Sequence, residues 1–165
     1  MDLQFANTHV HRDRVDVRMH SHPVLEIVYY IAGEGTSEID GTRYDVAPGS
    51  ITITPGGVEH DQLESAAMSS LCFGVKESDL EELQGLVVDH GGAVRFLAEN
   101  LMRELNERRP SFELVAEGLL QQMVGVIRRL AAEGNAKPRK EELVDQALGI
   151  IRQVEGRVTV AELSE

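Results

Sequence analysis

The chain has 165 residues, of which 42% are hydrophobic, so it is long enough for one domain with a real core and a small appendage. Its 28 acidic residues outnumber its 16 lysines and arginines, and the formal net charge of −12 predicts that the chain by itself repels DNA and anionic lipid. Cys72 is the single cysteine, which excludes an internal disulfide and a cysteine-based zinc knuckle.

The first half of the chain has the pattern of an all-β domain. Residues 3 to 76 read as about eight short strands with turns at short intervals, which is typical of a small antiparallel barrel or jelly roll. Asp40-Gly41 lies between two β-prone segments and predicts a tight hairpin with positive φ. Pro55-Gly56-Gly57 predicts a second turn.

Two histidines and a glutamate share one parity within the stretch from Arg18 to Gly33. If this stretch is a single extended strand, His20, His22 and Glu26 point to the same face. Val24, Val28 and Tyr30 share that parity. Burying imidazoles and a carboxylate among apolar side chains is costly unless they are paired or bound to something, so this face is a candidate binding site.

A second stretch, from Gly49 to His60, supplies one further histidine after the Pro-Gly-Gly turn. Together the two stretches resemble the two signature motifs of the cupin superfamily. The matching residues are His20, His22, Glu26 and Gly33 in the first motif, and Gly49, Pro55, Gly57 and His60 in the second. Glu64 departs from the pattern, which often has Asn there. The resemblance implies a mainly β fold, the cupin double-stranded β-helix (jelly-roll) barrel, here followed by α-helices.

Three imidazoles and one carboxylate are a ligand set that suits zinc, nickel, manganese or iron. The candidate metal ligands are His20, His22, Glu26 and His60. Two other interpretations remain open: the same side chains hold a polar effector directly by hydrogen bonds, or they have a structural role. The candidate effector-pocket residues are Val28, Tyr30 and Gln62. No catalytic residue is predicted.

After residue 76 the periodicity changes to that of helices. Ser78 and the acidic residues that follow predict a helix start, and a break is expected at residues 90 to 92. Further helices are predicted over residues 93 to 109 and from residue 112 to 130, separated by Pro110. The apolar stripe of the last helix is broad, so it either packs on its own chain or forms a homodimer. The candidate dimer contacts are Phe112, Val115, Leu119, Met123 and Leu130.

The C-terminal part reads as a linker followed by the beginning of another unit. Residues 134 to 140 are basic and proline-broken, and residues 141 to 154 are again helical. Thr159 and Glu162 form a capping box just before the end, so we expect a chain cut short inside a helix. This order of features resembles the arabinose-regulator (AraC-type) family of transcription factors. The resemblance divides the chain into a cupin barrel (1–76), a helical dimerisation region (77–133), a linker (134–140) and a truncated start of a helix-turn-helix domain (141–165).

The resemblance implies a bacterial transcriptional regulator whose barrel binds a small molecule, such as a sugar or another polar metabolite, or a metal, or both. Its helices would form a homodimer, and DNA would be bound only through the helix-turn-helix part that is missing after Glu165. The alternative is a metal-dependent cupin enzyme of the isomerase or dioxygenase type. The chain shows neither a signal peptide nor a run near the ~20 apolar residues of a membrane span, which predicts a cytoplasmic protein.

Overall fold

The computed structural model describes residues 1–135 except residues 12, 14, 15, 65, 66, 77, 79 and 81. In this part of the chain, nine strands precede two helices. They are β1 (Asp2–Val10), β2 (Asp16–His20), β3 (Leu25–Ala32), β4 (Gly35–Ile39), β5 (Thr42–Val46), β6 (Ser50–Thr54), β7 (His60–Glu64), β8 (Ser69–Lys76), β9 (Gly85–Val88), α1 (Ala93–Glu107) and α2 (Phe112–Asn135). The predicted linker beyond residue 135 and the predicted helix-turn-helix start lie outside the described residues.

The strands form two antiparallel sheets. The five-stranded sheet has the order β1-β8-β3-β6-β9, and the four-stranded sheet has the order β2-β7-β4-β5. Apart from the β4-β5 hairpin, which lies within one sheet, successive strands from β1 to β8 alternate between the two sheets, as in a jelly roll. This confirms the predicted fold class, a mainly β cupin barrel followed by helices.

The hairpin between β4 and β5 forms where the sequence predicts it. Ile39 pairs with Thr42, which leaves Asp40 and Gly41 as the two turn residues. Their φ angles are +50° and +71°. Both angles fit the mirror-image turn that matches the right-handed twist of the flanking strands, and such turns favour Asp-Gly.

The central strands β8, β3 and β6 of the five-stranded sheet are buried on both faces, and alternation along β3 separates two apolar clusters. Ile27 and Tyr29 belong to an outer cluster, which also contains the buried residues of both helices. Val28 and Tyr30 face the other way, towards the four-stranded sheet. They belong to an inner cluster, whose members are Val28, Tyr30, Val46, Met68 and Cys72. The helices thus pack on the outer face of the five-stranded sheet, and the inner face of β3 points towards the four-stranded sheet.

One predicted helix is wrong. The helix expected to begin at Ser78 is absent at Gly85–Val88, which form β9 and pair with β6. Val87 is buried in the outer cluster. The free edge of β6 offers backbone hydrogen bonds, and Val and Leu side chains fit a half-buried pleated surface, so these tertiary contacts outweigh the local acidic signal. The five-stranded sheet therefore extends past residue 76.

The buried carboxylate of Asp89 caps α1. It accepts hydrogen bonds from the backbone N–H groups of Ala93, Val94 and Arg95 at 2.9–3.1 Å. The Tyr29 hydroxyl donates to the same carboxylate at 3.3 Å. Burial, reinforced by Asp89, raises the pKa of Tyr29 to about 12, so the hydroxyl keeps the proton that it donates. Strand β3 is thereby linked to the start of α1.

The apolar stripe of α2 packs largely on its own chain. Met123 is 1% exposed and belongs to the outer cluster, so its prediction as an anchor for a second subunit is wrong. Leu119 and Leu130 are partly buried against the same cluster. The exposed apolar residues of α2 are Leu114 (72%) and Val115 (43%). No described helix has the length and apolar character needed to cross a membrane.

Candidate metal and effector site

The stretch from Arg18 to Gly33 is two strands, not the predicted single strand. β2 ends at His20 and β3 begins at Leu25, and these two strands belong to different sheets. Pro23 lies in the connection, where its missing N–H cannot interrupt a sheet ladder. His22 is part of this connection as well. The predicted single strand is therefore wrong, and a shared strand parity cannot be what brings His20, His22 and Glu26 together.

The three histidines converge at one end of the barrel. His20 pairs directly with His60 across β2 and β7, and their ring centroids are 4.2 Å apart. The His22 ring lies 4.9 Å from that of His60. The Gly57 N–H donates to the His22 carbonyl oxygen at 2.8 Å, which fixes the connection against the turn that leads to β7. One ligand nitrogen from each of the three histidines lies within 4.8 Å of the others.

Glu26 reaches the same centre from the opposite sheet. Its Oε2 atom lies 3.2 Å from Nε2 of His60, and its Oε1 atom lies 3.7 Å from Nε2 of His22. The carboxylate is largely buried, with 15% of its side chain exposed. The structure thus brings together the four side chains that the sequence offers as candidate metal ligands.

Backbone carbonyls fix the orientation of all three rings. The Nδ1 atoms of His20, His22 and His60 lie 2.9, 2.8 and 3.0 Å from the carbonyl oxygens of Arg18, Val24 and Val58. A carbonyl oxygen can only accept, so each Nδ1 carries the proton and donates it. In the neutral rings Nε2 then holds a lone pair. Metal-binding imidazoles are commonly oriented in this way, by a hydrogen bond from the ring nitrogen that does not bind the metal.

The Nε2 atoms of His22 and His60 are buried without a hydrogen-bond partner in the described part of the chain. The contact of His60 with Glu26 is close enough for an ion pair but is not aligned as a hydrogen bond. Two lone pairs facing a buried carboxylate repel it unless a cation lies between them. That cation is either a proton or a metal ion, so the donor set fits a divalent transition metal.

The charges around Glu26 and His60 favour a cation at the same place. Burial alone would raise the pKa of Glu26, but the neighbouring His60 and the other two histidines shift this pKa below its ordinary value. For His60, burial opposes protonation, yet Glu26 and the Val58 carbonyl raise the pKa of the ring above its ordinary value. Without a metal, the centre therefore favours an imidazolium beside a carboxylate.

The predicted effector-pocket residues lie on the inner side of the barrel. Val28 and Tyr30 are 4% and 1% exposed, and they share the inner face of β3 with Glu26. Burial raises the pKa of Tyr30 far above its ordinary value, while hydrogen bonds with Thr52 and Ser37 oppose the shift. Gln62 is half-buried on β7, with its Nε2 atom 3.9 Å from Sδ of Met68. Val28 and Tyr30 therefore pack within the inner cluster, and Gln62 lies beside Met68 of the same cluster.

Sequence reasoning did not single out Phe5 as part of the site. Its ring meets His22 edge-on, with centroids 6.0 Å apart and an interplanar angle of 83°. One signal was present, because Gly74 interrupts the apolar run of residues 71 to 75 and an isolated glycine in a strand often marks a close approach by another group. The sequence does not show which group approaches.

Two clefts lie outside the barrel, between β1 and the helices. Their volumes are about 440 and 320 Å³, and both are lined by Leu3 and Leu105. Neither cleft is lined by the three histidines or by Glu26. They are therefore separate from the histidine centre.

Comparison with protein families gives one match over most of the chain. The sequence model of the AraC-like ligand binding domain matches residues 4–153. No curated protein matches the chain in sequence.

Several solved structures are similar to part of the chain. A predicted oxalate decarboxylase from Thermotoga maritima is 20% identical with a TM-score of 0.42, and the match covers 44% of this chain and 66% of that one. An RmlC-like cupin from Shewanella frigidimarina is 18% identical with a TM-score of 0.40, covering 46% and 68%. A cupin protein from Bacteroides fragilis is 25% identical with a TM-score of 0.40, also covering 46% and 68%.

Proposed function

The chain belongs to the family of AraC-like ligand binding domains, and we propose that it is the effector-sensing part of a bacterial transcriptional regulator. Sensing takes place at the end of the cupin barrel where the three histidines converge. There His20, His22, His60 and Glu26 bind a divalent transition metal, and the metal and the barrel together bind a small polar effector. Zinc, nickel, manganese and iron all suit this ligand set.

The observation that carries the proposal is the pair of buried, unpartnered Nε2 atoms beside Glu26. Leaving buried polar atoms without partners costs roughly 1–3 kcal/mol each, so a fold that keeps two of them together has a use for them. Hydrogen bonds to carbonyls already fix the other nitrogen of each ring. The rings are thus prepared to act as ligands before any metal arrives.

Each residue has a separate part in this proposal. The three histidines hold the metal through Nε2, and Glu26 offsets part of its charge. A metal held by four protein ligands keeps further positions open when its preferred coordination number is above four, and an effector oxygen or nitrogen can occupy one of them. Val28, Tyr30 and Gln62 close the barrel beneath the effector.

The alternative within the same family is an effector held directly by the histidines, without a metal. Calorimetric titration of the metal-free chain with each of the four metal ions distinguishes the two. The proposal predicts one equivalent of binding for at least one ion, weakened at least about tenfold by Glu26→Gln. Glu59→Gln, an exposed acid beside His60, is the matched control and should not change the affinity. If none of the four ions binds, the result would favour an effector held directly by the histidines, without a metal.

A cupin enzyme of the isomerase or dioxygenase type is the other candidate function, because a His and Glu centre with an open position can also support catalysis. The two functions differ in the fate of the ligand. A sensor returns its ligand unchanged after prolonged incubation with the metal-loaded chain, whereas an enzyme converts it. Mass spectrometry of the ligand after incubation therefore separates them.

The regulator proposal includes a homodimer and DNA binding through a helix-turn-helix part. The exposed apolar residues Leu114 and Val115 on α2 support a dimer contact in that helix. The remaining predicted dimer contacts on α2 are at least partly buried in the chain itself. The proposed contact is therefore centred on the first turn of α2.

A further inference from the structure

Phe5 stands in one row with Glu26 on the inner face of the five-stranded sheet. Phe5 on β1 pairs with Gly74 on β8, and Gly74 pairs with Glu26 on β3. Residues paired directly across antiparallel strands point to the same face. The side chain of Phe5 therefore projects towards the barrel interior at the level of the histidine centre.

Gly74 leaves the space that the Phe5 ring occupies. A Cβ atom built on Gly74 would overlap the ring atoms of Phe5. The ring also packs against the inner cluster and meets His22 edge-on, with centroids 6.0 Å apart. Because Gly74 has no side chain, nothing separates Phe5 on β1 from Glu26 on β3. The Phe5 ring therefore forms an apolar surface next to Glu26 and His22.

We propose that Phe5 is the wall that sets the size of the ligand admitted to the histidine centre. This inference rests on the proposed function, because it assumes that an effector binds at the metal. A ligand coordinated beside His22 and Glu26 meets the ring on that side, while the inner cluster fills the barrel below. Gly74 acts as a positioning residue, because any side chain at this position would displace the Phe5 ring.

The charge at the centre indicates which probes to use. A divalent ion contributes +2 and Glu26 contributes −1, so with neutral histidines the loaded centre is positive by one unit. Every lysine and arginine in the described part of the chain is exposed, and none competes inside the barrel. A small carboxylate is therefore attracted to the metal itself. Acetate and benzoate present the same donor group with very different bulk.

The test uses the chain loaded with cobalt(II), whose visible absorption changes when a ligand coordinates. Wild type should bind acetate more tightly than benzoate. Phe5→Ala should improve benzoate binding relative to acetate by about tenfold or more, because a space of ring size opens beside the metal. Gly74→Ala should change the ratio in the same direction by displacing the ring. Phe96→Ala, which removes an exposed ring on α1, is the matched control and should leave the ratio unchanged.

The outcomes separate this inference from the function on which it rests. Failure of the chain to bind cobalt contradicts the metal centre, and the wall with it. If wild type, Phe5→Ala and Gly74→Ala all bind cobalt but have the same ratio of benzoate affinity to acetate affinity, the wall is overturned and the metal centre is not. Absence of carboxylate binding in all three proteins also overturns it. Phe5→Leu, which keeps apolar packing with less bulk, gives an intermediate ratio if the wall is correct and covers the case in which Phe5→Ala does not fold.

Discussion

At His60 the same ring nitrogen has to hold either a proton or a metal ion. Its Nδ1 donates to the Val58 carbonyl, and its Nε2 faces Glu26 at 3.2 Å. The carboxylate raises the pKa of the ring, so protons and metal ions compete for one position. A metal ligand with a raised pKa releases its proton on binding, and the affinity for the metal then depends on pH.

We expect the affinity of the metal-free chain for zinc to fall as the pH is lowered through the raised pKa of His60. The fall should be about tenfold per pH unit for each proton displaced, since only the deprotonated ring can ligate. Glu26→Gln removes the charge that raises this pKa, and burial then lowers it. The fall should therefore begin at lower pH in Glu26→Gln. Competition with a coloured chelator across the range from about pH 5 to about pH 8 measures both curves.

Glu59→Gln is the control variant for this titration. Glu59→Gln removes an exposed charge next to His60 in sequence and should leave the onset where it is in wild type. If the zinc affinity begins to fall at the same pH in wild type and in Glu26→Gln, the carboxylate does not control the pKa of the His60 ring.

Motif spacing was sufficient to predict the four residues of the centre, but not how they meet. His20 and Glu26 lie on different sheets, and the contact between them depends on how the sheets pack. The approach of Phe5 to His22 depends on the pairing of β1 with β8, which joins residues about seventy positions apart. Pairings of this kind leave little local signal in a sequence, so the wall of the site could not be predicted.

Among the elements, the connection between β3 and α1 depends on a single buried carboxylate. Gly92 has no side chain that could cap α1, and Asp89 caps the helix in its place. Asp89 also accepts a hydrogen bond from the Tyr29 hydroxyl. Since β3 carries Glu26 on its inner face, this capping interaction fixes the helix to the strand that forms part of the site.

We expect Asp89→Ala to lower the free energy of unfolding by about 1–3 kcal/mol, because buried N–H groups lose their acceptor. Tyr29→Phe should cost less, about 0.5–1.5 kcal/mol, since its hydrogen bond to Asp89 is long at 3.3 Å. Glu99→Ala, an exposed acid on α1, should stay within about 0.5 kcal/mol of wild type. Urea unfolding measures all three. An Asp89→Ala variant as stable as the Glu99→Ala control would contradict the role of the cap.

The elements also show where local patterns mislead. The hairpin at Asp40-Gly41 was predictable because its turn chemistry is local. β9 was not, because it forms only when the edge of β6 is present to pair with it. For α2, the periodicity predicted a helix with an apolar stripe, but it included the exposed Val115 and could not decide what covers the rest. The structure shows that the outer cluster covers Met123.

For the molecule as a whole, we expect a homodimer that depends on the start of α2. Leu114→Glu combined with Val115→Glu should convert the dimer to monomer, because both side chains are exposed in the single chain and buried only if a second copy packs there. Val10→Glu changes an equally exposed apolar residue on β1 and serves as the control. Sedimentation at micromolar concentration gives the answer. A wild-type chain that sediments as a monomer would refute the dimer.

The net charge of −12 leads to a further expectation for the whole chain. Binding to DNA draws much of its affinity from contacts between cationic side chains and phosphates, and an acidic molecule opposes them. The present chain should therefore give no specific complex with DNA in a gel-shift experiment at near-physiological salt. A sequence-dependent complex would show that these residues already contain a DNA-binding surface.

The central claim, that the barrel is a metal-dependent sensor, is tested most directly by the metal content of the chain purified without chelators. The account predicts a transition metal at close to one equivalent per wild-type chain and a large loss in His20→Ala. His9→Ala removes an exposed histidine on β1 and should keep the wild-type content. A wild-type chain without transition metal that also takes up none when supplied, or a His20→Ala chain with unchanged content, would contradict the account.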